Sequence, residues 1–308
     1  MEAVLLLASI NARDPNRRYK VVLAEPQAGP NWSGDPLDEQ TRRVVTDLGA
    51  EIRPFEPKYF GDSYPYGNKI EALQVVRSDG PFVFLDTDTL ILSPLGDVPF
   101  DFSRPTGSLK RTASWPKISP QSPDIATIWR SLYDRFDLDF ETAQDRRFDA
   151  GDWRRYPYFN AGFWFYHDAN AFQDRFLEIA LSIRNDPPPE LSGQSLDPWL
   201  DQVALPLVIH SLDGGLDTLP AGLIDGSVTC HWRMLPLLYA QQPDDVVRLL
   251  TEISAPNPIK NILRKHEAAH RMIYRGEGDR LRAVYHGTHF ETEADLRKSL
   301  KKAGHWVR

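Results

Sequence analysis

Two aspartates follow a short apolar run in the first third of the sequence. Asp86 and Asp88 come directly after Phe82-Val-Phe-Leu85, which has the composition of a buried β-strand. Residues two apart on a strand point to the same side, so the two carboxylates would converge. Two like charges held together there repel unless a cation lies between them. Because hard oxygen ligands suit Mg²⁺ or Mn²⁺, which commonly hold a diphosphate, the pair predicts a diphosphate-bearing substrate.

The spacing of the two aspartates is a weak signal by itself. Asp137-Leu-Asp139 has the same spacing, yet it falls in a stretch that we predict to be helical, where residues two apart do not share a face. For Asp86 and Asp88 the alternative is a pair of solvated loop acids. The apolar run before them, and Thr89-Leu-Ile-Leu92 after them, favour the metal site.

The apolar pattern around these aspartates predicts an α/β fold. Helix and strand alternate over the first 55 residues, which is typical of a protein with a parallel sheet. We expect Phe82–Leu85 to be a central parallel strand, because an unbroken apolar run suits burial on both faces. Ligands of open α/β sheets bind beyond the carboxyl ends of the strands, where Asp86 and Asp88 fall. The predicted helices are 2–11, 36–48, 64–76, 125–140, 171–183 and one from Pro198 capped by Asp197; the predicted strands are 19–24, 51–55, 82–85, 163–166 and 227–231; from Leu235 onward the pattern is mainly helical.

Composition and charge limit the classes of partner. The chain has 308 residues and a formal net charge of −7, but residues 256–308 hold 12 Lys and Arg against 6 Asp and Glu. This segment is therefore +6 and the remainder is −13. An acidic body argues against nucleic acid as a partner. The basic segment is either a surface for weak contact with an anionic membrane or a solvated helical face.

Cysteine content and hydropathy bear on location. The single cysteine, Cys230, excludes an intramolecular disulfide and fits a reducing compartment. No stretch reaches the roughly 18 uncharged apolar residues of a membrane span. We therefore expect a cytoplasmic protein, with any membrane contact peripheral at the inner face.

The run from Asn68-Lys-Ile-Glu-Ala-Leu to Phe-Leu-Asp-Thr-Asp-Thr-Leu-Ile-Leu-Ser-Pro-Leu95 resembles the core of A-type (GT-A fold) nucleotide-sugar glycosyltransferases. It is most similar to the glycogenin and lipopolysaccharide galactosyltransferase group, glycosyltransferase family 8. Three later features occur in the order of that family: Phe159-Asn-Ala-Gly162, Asp201-Gln202 and a strand-end histidine, His231. The similarity spans about residues 15–235, and its specificity comes from the combination.

The resemblance implies a GT-A-like, Rossmann-type mixed sheet flanked by helices, and a role for each matching residue. Asp86 and Asp88 would bind Mn²⁺ or Mg²⁺ and the nucleotide diphosphate, and Lys69 would contact the donor. Asn160 and Gly162 would line the donor sugar pocket. The alternatives are a solvated helix lysine for Lys69 and a turn opening a strand for Asn160 and Gly162.

The remaining matches concern the transferred sugar and the third metal ligand. The resemblance implies that Asp201 and Gln202 are catalytic and face the sugar, with Asp201 positioned to stabilise the developing positive charge or to contact the acceptor. Asp201 is also explained as a first-turn acid favoured by the helix dipole. His231 would complete the metal shell through a neutral imidazole nitrogen. His286 and His289 are alternatives for that role.

The sequence departs from the family at both ends. Family members begin with a β-strand, whereas this sequence begins within the segment that matches their first helix, so we expect the first strand to be missing. The segment after Leu235 has no match to the family's Gly-x-x-Lys-Pro-Trp ending. We therefore predict a GT-A-like domain over residues 1–235 and a basic, mainly helical extension over residues 236–308.

These observations predict a metal-dependent, hexosyltransferase-like enzyme. It would transfer a sugar, with retention, from a nucleotide-diphosphate sugar to a hydroxyl of a saccharide, a lipid-linked sugar or a protein; retention rests on the resemblance alone. One alternative is a catalytically inactive relative that keeps the fold as a binding or scaffold protein. Another is a different phosphate-handling α/β enzyme such as a nucleotidyltransferase, but the sequence has no G-x-x-x-x-G-K-[ST] phosphate loop.

Overall fold

The computed structural model describes residues 1–77, 79–109, 114–215, 219–220, 222–223 and 225–307. The strands are β1 (Val21–Pro26), β2 (Ala50–Phe55), β3 (Phe82–Leu85), β4 (Thr89–Ile91), β5 (Thr106–Leu109), β6 (Phe159–Tyr166) and β7 (Thr229–His231). The helices are α1 (Glu2–Arg13), α2 (Glu39–Asp47), α3 (Asn68–Glu71), α4 (Ile125–Arg135), α5 (Ala169–Asn185), α6 (Leu200–Ser211), α7 (Leu235–Gln241), α8 (Asp244–Ser254), α9 (Asn257–Leu263), α10 (Glu267–Ala269), α11 (Glu277–Tyr285) and α12 (Glu293–Lys302).

Within the described ranges, the strands form three small sheets. β1 and β2 pair in parallel. β3, β6 and β5 form an antiparallel sheet with β6 in the middle, and β4 pairs antiparallel with β7. Helices pack against these sheets, with α5 and α6 beside β6 and α1 beside β4. The structure thus confirms the mixed α/β class, with sheets flanked by helices.

The strand before the two aspartates is not the central parallel strand that we predicted. β3 lies at the side of its sheet and pairs antiparallel with β6, with Phe84 opposite Trp164. Its four residues are only partly buried. The prediction was wrong because an apolar run does not distinguish parallel from antiparallel pairing. Aromatic stacking accounts for the composition instead, since the rings of Phe84 and Trp164 lie 3.9 Å apart.

The buried centre of the fold is β6, in which all eight residues are buried. Successive side chains point to opposite faces of a strand. Trp164 packs edge-on against Phe176 of α5 on one face, and Phe165 packs against Phe100 and Phe102 on the other. β6 therefore belongs to both hydrophobic cores of the protein. The Asn160–Gly162 segment lies on this well-packed strand.

The first helix is buried along most of its length. Residues 4–10 of α1 are all buried, and the helix packs on β4 and α8. The hydroxyl of Ser9 accepts a hydrogen bond from the backbone N–H of Ile91 and donates one to the carbonyl of Leu6, so this buried polar group is satisfied. The boundary predicted at residue 235 stays a prediction, and in the structure the helices after it share the core of α1.

Several predicted helix ends differ from the structure; the helix predicted over 64–76, for example, is α-helical only over Asn68–Glu71. α4 ends at Arg135, and Asp137 takes a left-handed backbone conformation with φ 53°, so the second Asp-x-Asp pair lies in a turn after the helix. α6 begins at Leu200 with Trp199 at the capping position, so Asp197 is not its cap. Helices do follow residue 235, as predicted, from α7 to α12. Among the described residues, no helix combines the length and the apolar character that crossing a bilayer requires.

We predict that His210 makes the protein sensitive to acid. Burial lowers the pKa of His210 to about 4, and its Nδ1 contacts the hydroxyl of the buried Tyr133. A histidine whose pKa is lower in the folded state than in the unfolded chain costs stability as the pH falls from about 6.5 toward 4. Over this range, the free energy of unfolding should fall by up to about 3 kcal/mol more in the wild type than in His210→Gln.

Urea denaturation at several pH values measures this difference. His167→Gln is the matched control, because His167 is exposed. It should keep the pH dependence of the wild type. If His210→Gln and the wild type lost stability in parallel, the buried histidine would not be the cause.

Candidate active site

The Asp86-Thr-Asp88 turn joins two of the sheets. The backbone N–H of Asp86 donates to the carbonyl of Gly162 on β6 at 2.8 Å, and the N–H of Trp232 after β7 donates to the carbonyl of Asp88 at 3.0 Å. Immediately beyond the turn, Thr89 of β4 pairs with His231 of β7. Backbone pairing on both sides therefore fixes the two carboxylates at the junction of the β3–β6–β5 and β4–β7 sheets.

His231 completes a group of three potential metal ligands. One ligand atom from each of Asp86, Asp88 and His231 lies within 4.8 Å of the other two. The backbone N–H of His231 donates to Oδ1 of Asp225 at 2.7 Å, and this hydrogen bond holds the end of β7 in place. The alternatives His286 and His289 follow α11 and do not belong to this group.

The contact between His231 and Asp88 is compatible with a shared metal ion. Nε2 of His231 lies 3.0 Å from Oδ1 of Asp88, yet that buried oxygen makes no hydrogen bond with any described residue. Leaving a buried acceptor unpaired costs free energy. Two ligands at right angles on an ion about 2.1 Å away lie about 3 Å apart. The donor set of two carboxylates and one imidazole is therefore compatible with a divalent metal.

Gly162 leaves the space into which three site side chains converge. A Cβ atom at this position would lie 2.7 Å from Cε1 of His231, 2.8 Å from Oδ1 of Asn160 and 3.2 Å from Oδ2 of Asp86. Asn160 itself accepts a hydrogen bond from the N–H of Gly162 at 3.0 Å. The requirement for glycine at 162 is thus close approach of the site residues and not a special backbone angle.

Lys69 is the cation of the site. Its Nζ donates to Oδ2 of Asp86 at 2.8 Å and to the carbonyl of Ala161 at 2.9 Å, and lies 3.5 Å from Oδ2 of Asp201. Burial by itself would lower the pKa of Lys69, but Asp86 and Asp201 outweigh it and hold the pKa above its usual value. With only 15% of its side chain exposed, Lys69 is not a solvated helix lysine.

Asp201 and Gln202 lie in the first turn of α6. Asp201 is 2% exposed, and both of its oxygens have neighbours: the hydroxyl of Tyr64 donates to Oδ1 at 2.8 Å, and Lys69 faces Oδ2. Oε1 of Gln202 is buried and makes no hydrogen bond with a described residue. Contacts therefore connect Asp201, through Lys69 and Asp86, to the three potential ligands Asp86, Asp88 and His231 (the metal group). No hydrogen bond or ion pair among the described residues connects Gln202 to them.

Two residues beside the site were not predicted from the sequence. Glu2, at the start of α1, accepts a hydrogen bond from the hydroxyl of Thr87 at 3.1 Å. Burial and the charges of Asp88 and Asp86 raise the pKa of Glu2. The other is Tyr64, whose hydroxyl donates a hydrogen bond to Asp201. Neither has a spacing that marks it, because each reaches the site through the tertiary fold.

Comparison with known proteins identifies the family. Residues 1–213 match the family model described as the Rhodobacterales glycosyltransferase domain. This chain belongs to that glycosyltransferase family. No curated protein matches the chain. The match supports transfer of a sugar, and it covers every residue of the candidate site except His231, which β7 supplies by pairing with β4.

We predict that Gly162→Ala disrupts the group of Asp86, Asp88 and His231 and leaves the fold intact. The added methyl group would displace His231, Asn160 or Asp86, because buried side chains have little free space around them. Mn²⁺ affinity, measured by isothermal titration calorimetry, should fall at least about tenfold.

Gly151→Ala is the matched control, since a Cβ atom at Gly151 has nothing within 4 Å. Its Mn²⁺ affinity should equal that of the wild type. Unchanged Mn²⁺ affinity in Gly162→Ala would show that the close packing around Gly162 does not determine metal binding by Asp86, Asp88 and His231.

Proposed function

We propose that this glycosyltransferase moves a sugar from a nucleotide-diphosphate sugar to a hydroxyl acceptor and requires Mn²⁺ or Mg²⁺. The observation that carries the proposal is the convergence of Asp86, Asp88 and His231 beside Lys69, in a chain of a glycosyltransferase family. A GT-A fold and similarity to glycosyltransferase family 8 are part of the proposal and rest on the sequence motifs.

The metal group and Lys69 would divide the work of binding the donor diphosphate. Asp86, Asp88 and His231 would hold the ion, which supplies positive charge against the diphosphate and the negative charge that develops on it as it leaves. Lys69 would add a second cation, since its ammonium group is charged and held in place by Asp86 and the carbonyl of Ala161. Nonpolar surroundings strengthen these electrostatic contacts.

The donor sugar would lie next to β6 and the start of α6. Gly162 leaves room beside Asp86 and His231, and Asn160 lines the same space. Asp201 and Gln202 are proposed to face this sugar, with Asp201 stabilising positive charge on its ring in the transition state. Retention of configuration and a hexose as the transferred sugar are proposed on the resemblance alone.

The acceptor would be a hydroxyl of a saccharide, a lipid-linked sugar or a protein. We propose that residues 1–235 form the catalytic domain and that the basic residues of 236–308 make weak contact with an anionic membrane surface. In that segment Lys298, Lys301 and Lys302 of α12 are exposed. An acceptor held at a membrane would suit such a surface.

We predict that Asp88→Asn abolishes metal-dependent turnover. The amide cannot supply the negative charge that a divalent ion needs, so kcat/KM for donor hydrolysis or transfer should fall at least about 100-fold. The assay uses a panel of nucleotide sugars with Mn²⁺, with and without a chelator. The chelator should remove the activity of the wild type as well.

Asp137→Asn is the matched control because it comes from the second Asp-x-Asp pair, is exposed, and has a backbone conformation that asparagine tolerates. Its activity should equal that of the wild type. Full activity in Asp88→Asn would show that the metal site is misassigned. A correctly folded wild type that binds no UDP with Mn²⁺ in calorimetry would instead favour an inactive scaffold protein.

A further inference from the structure

Tyr64 is buried at the site, and the proposed reaction assigns it no role. It is 3% exposed and precedes α3 in the chain. Its hydroxyl donates to Oδ1 of Asp201 at 2.8 Å and accepts from the backbone N–H of the same residue at 3.1 Å. The carbonyl of Pro198 lies 3.2 Å away as a second acceptor for its single proton. One side chain thus engages both the carboxylate and the backbone of Asp201.

The residues just before Tyr64 in the chain are fixed to the helix that carries Lys69. The carboxylate of Glu71, in α3, accepts hydrogen bonds from the backbone N–H groups of Lys58, Tyr59 and Phe60, at distances from 2.6 to 3.3 Å. Glu71 is 2% exposed, so these bonds are shielded from water. The short helix therefore sets the positions of Lys69 and of the segment before it together.

The remaining link is between Asp201 and Lys69. Oδ2 of Asp201 lies 3.5 Å from Nζ of Lys69, while the same ammonium group binds Asp86 at 2.8 Å. Without the hydroxyl of Tyr64, Oδ1 of Asp201 would lose its donor at a buried position. The carboxylate would then no longer be held in one orientation, and the ammonium group of Lys69 would lose the fixed second partner that keeps it beside Asp86 and Ala161.

We propose that Tyr64 is a positioning residue that orients Asp201 and, through it, holds Lys69 at Asp86. The positions of Tyr64, Asp201 and Lys69 are supported by the contacts described above. The effect of Tyr64 on turnover rests on the proposed function. Tyr64 does not touch the metal group itself. Its effect must pass through Asp201, and this dependence makes the inference testable.

Lysine labelling tests the structural part without any need for activity. The folded, full-length protein is treated with a limiting amount of an amine-directed reagent, and the modification rate of Lys69 is measured by peptide mass spectrometry against the exposed Lys20. Lys69 should react several times faster in Tyr64→Phe than in the wild type. Tyr285→Phe, which also removes the hydroxyl of a buried tyrosine but in α11, is the control and should react as the wild type does.

A double-mutant cycle tests the link through Asp201. Tyr64→Phe should lower kcat/KM about tenfold, as expected for a lost hydrogen bond to a charged group, and should have little further effect when added to Asp201→Asn. A residue that served only the fold would instead act equally in both backgrounds. If Tyr64→Phe failed to fold, labelling of Lys69 in Asp201→Asn would test the same contact from its other side, with faster labelling expected.

The outcomes separate this inference from the proposed function. Wild-type labelling of Lys69 in Tyr64→Phe, or equal losses of turnover in the two backgrounds, would overturn the role of Tyr64. A wild type that turned over no donor would overturn the proposed function, while faster labelling in Tyr64→Phe would still support the positioning role.

Discussion

The site depends on the balance of charge around Asp86. Two aspartates, Asp86 and Asp88, lie two residues apart, and Glu2 and Asp201 add further negative charge nearby. Such a group is unfavourable at low dielectric unless cations oppose it. Among the described residues, Lys69 supplies such a cation through its contacts with Asp86 and Asp201. Oδ1 of Asp88, 3.0 Å from Nε2 of His231, is a place where a further cation would offset the negative charge.

The fold serves this balance by bringing rigid backbone to one junction. β6 is buried throughout and anchors the amide of Asp86 through Gly162, while β7 anchors the carbonyl of Asp88 and supplies His231. Side chains placed on paired strands vary little in position. Lys69 is held differently: its helix, α3, is fixed by Glu71, which binds the backbone of Lys58 and Phe60. Carboxylates and lysine therefore approach from separate elements.

The sequence alone singles out most of the residues that the structure brings together around Asp86, because their types and local context are informative. The Asp-x-Asp pair after an apolar run, the glycine at 162 and the histidine at 231 all fall where contacts bring them together. It did not identify Tyr64 or Glu2, since a tyrosine or glutamate outside a motif has no distinguishing spacing. The apolar run of β3 predicted a central parallel strand, and this prediction was wrong. The stacking of Phe84 on Trp164 needs the same apolar residues as burial on both faces of a sheet.

The sequence by itself determined the α/β class, the pair of carboxylates and the order of the motifs, because these follow from local periodicity and residue type. Only the tertiary structure decided which histidine joins the aspartates, that Lys69 is buried on Asp86, and that Tyr64 holds Asp201. The physical reason is that these contacts join residues between 17 and 143 positions apart in the chain. Side-chain chemistry can be inferred locally, whereas the pairing of charges depends on where packed strands and helices place them.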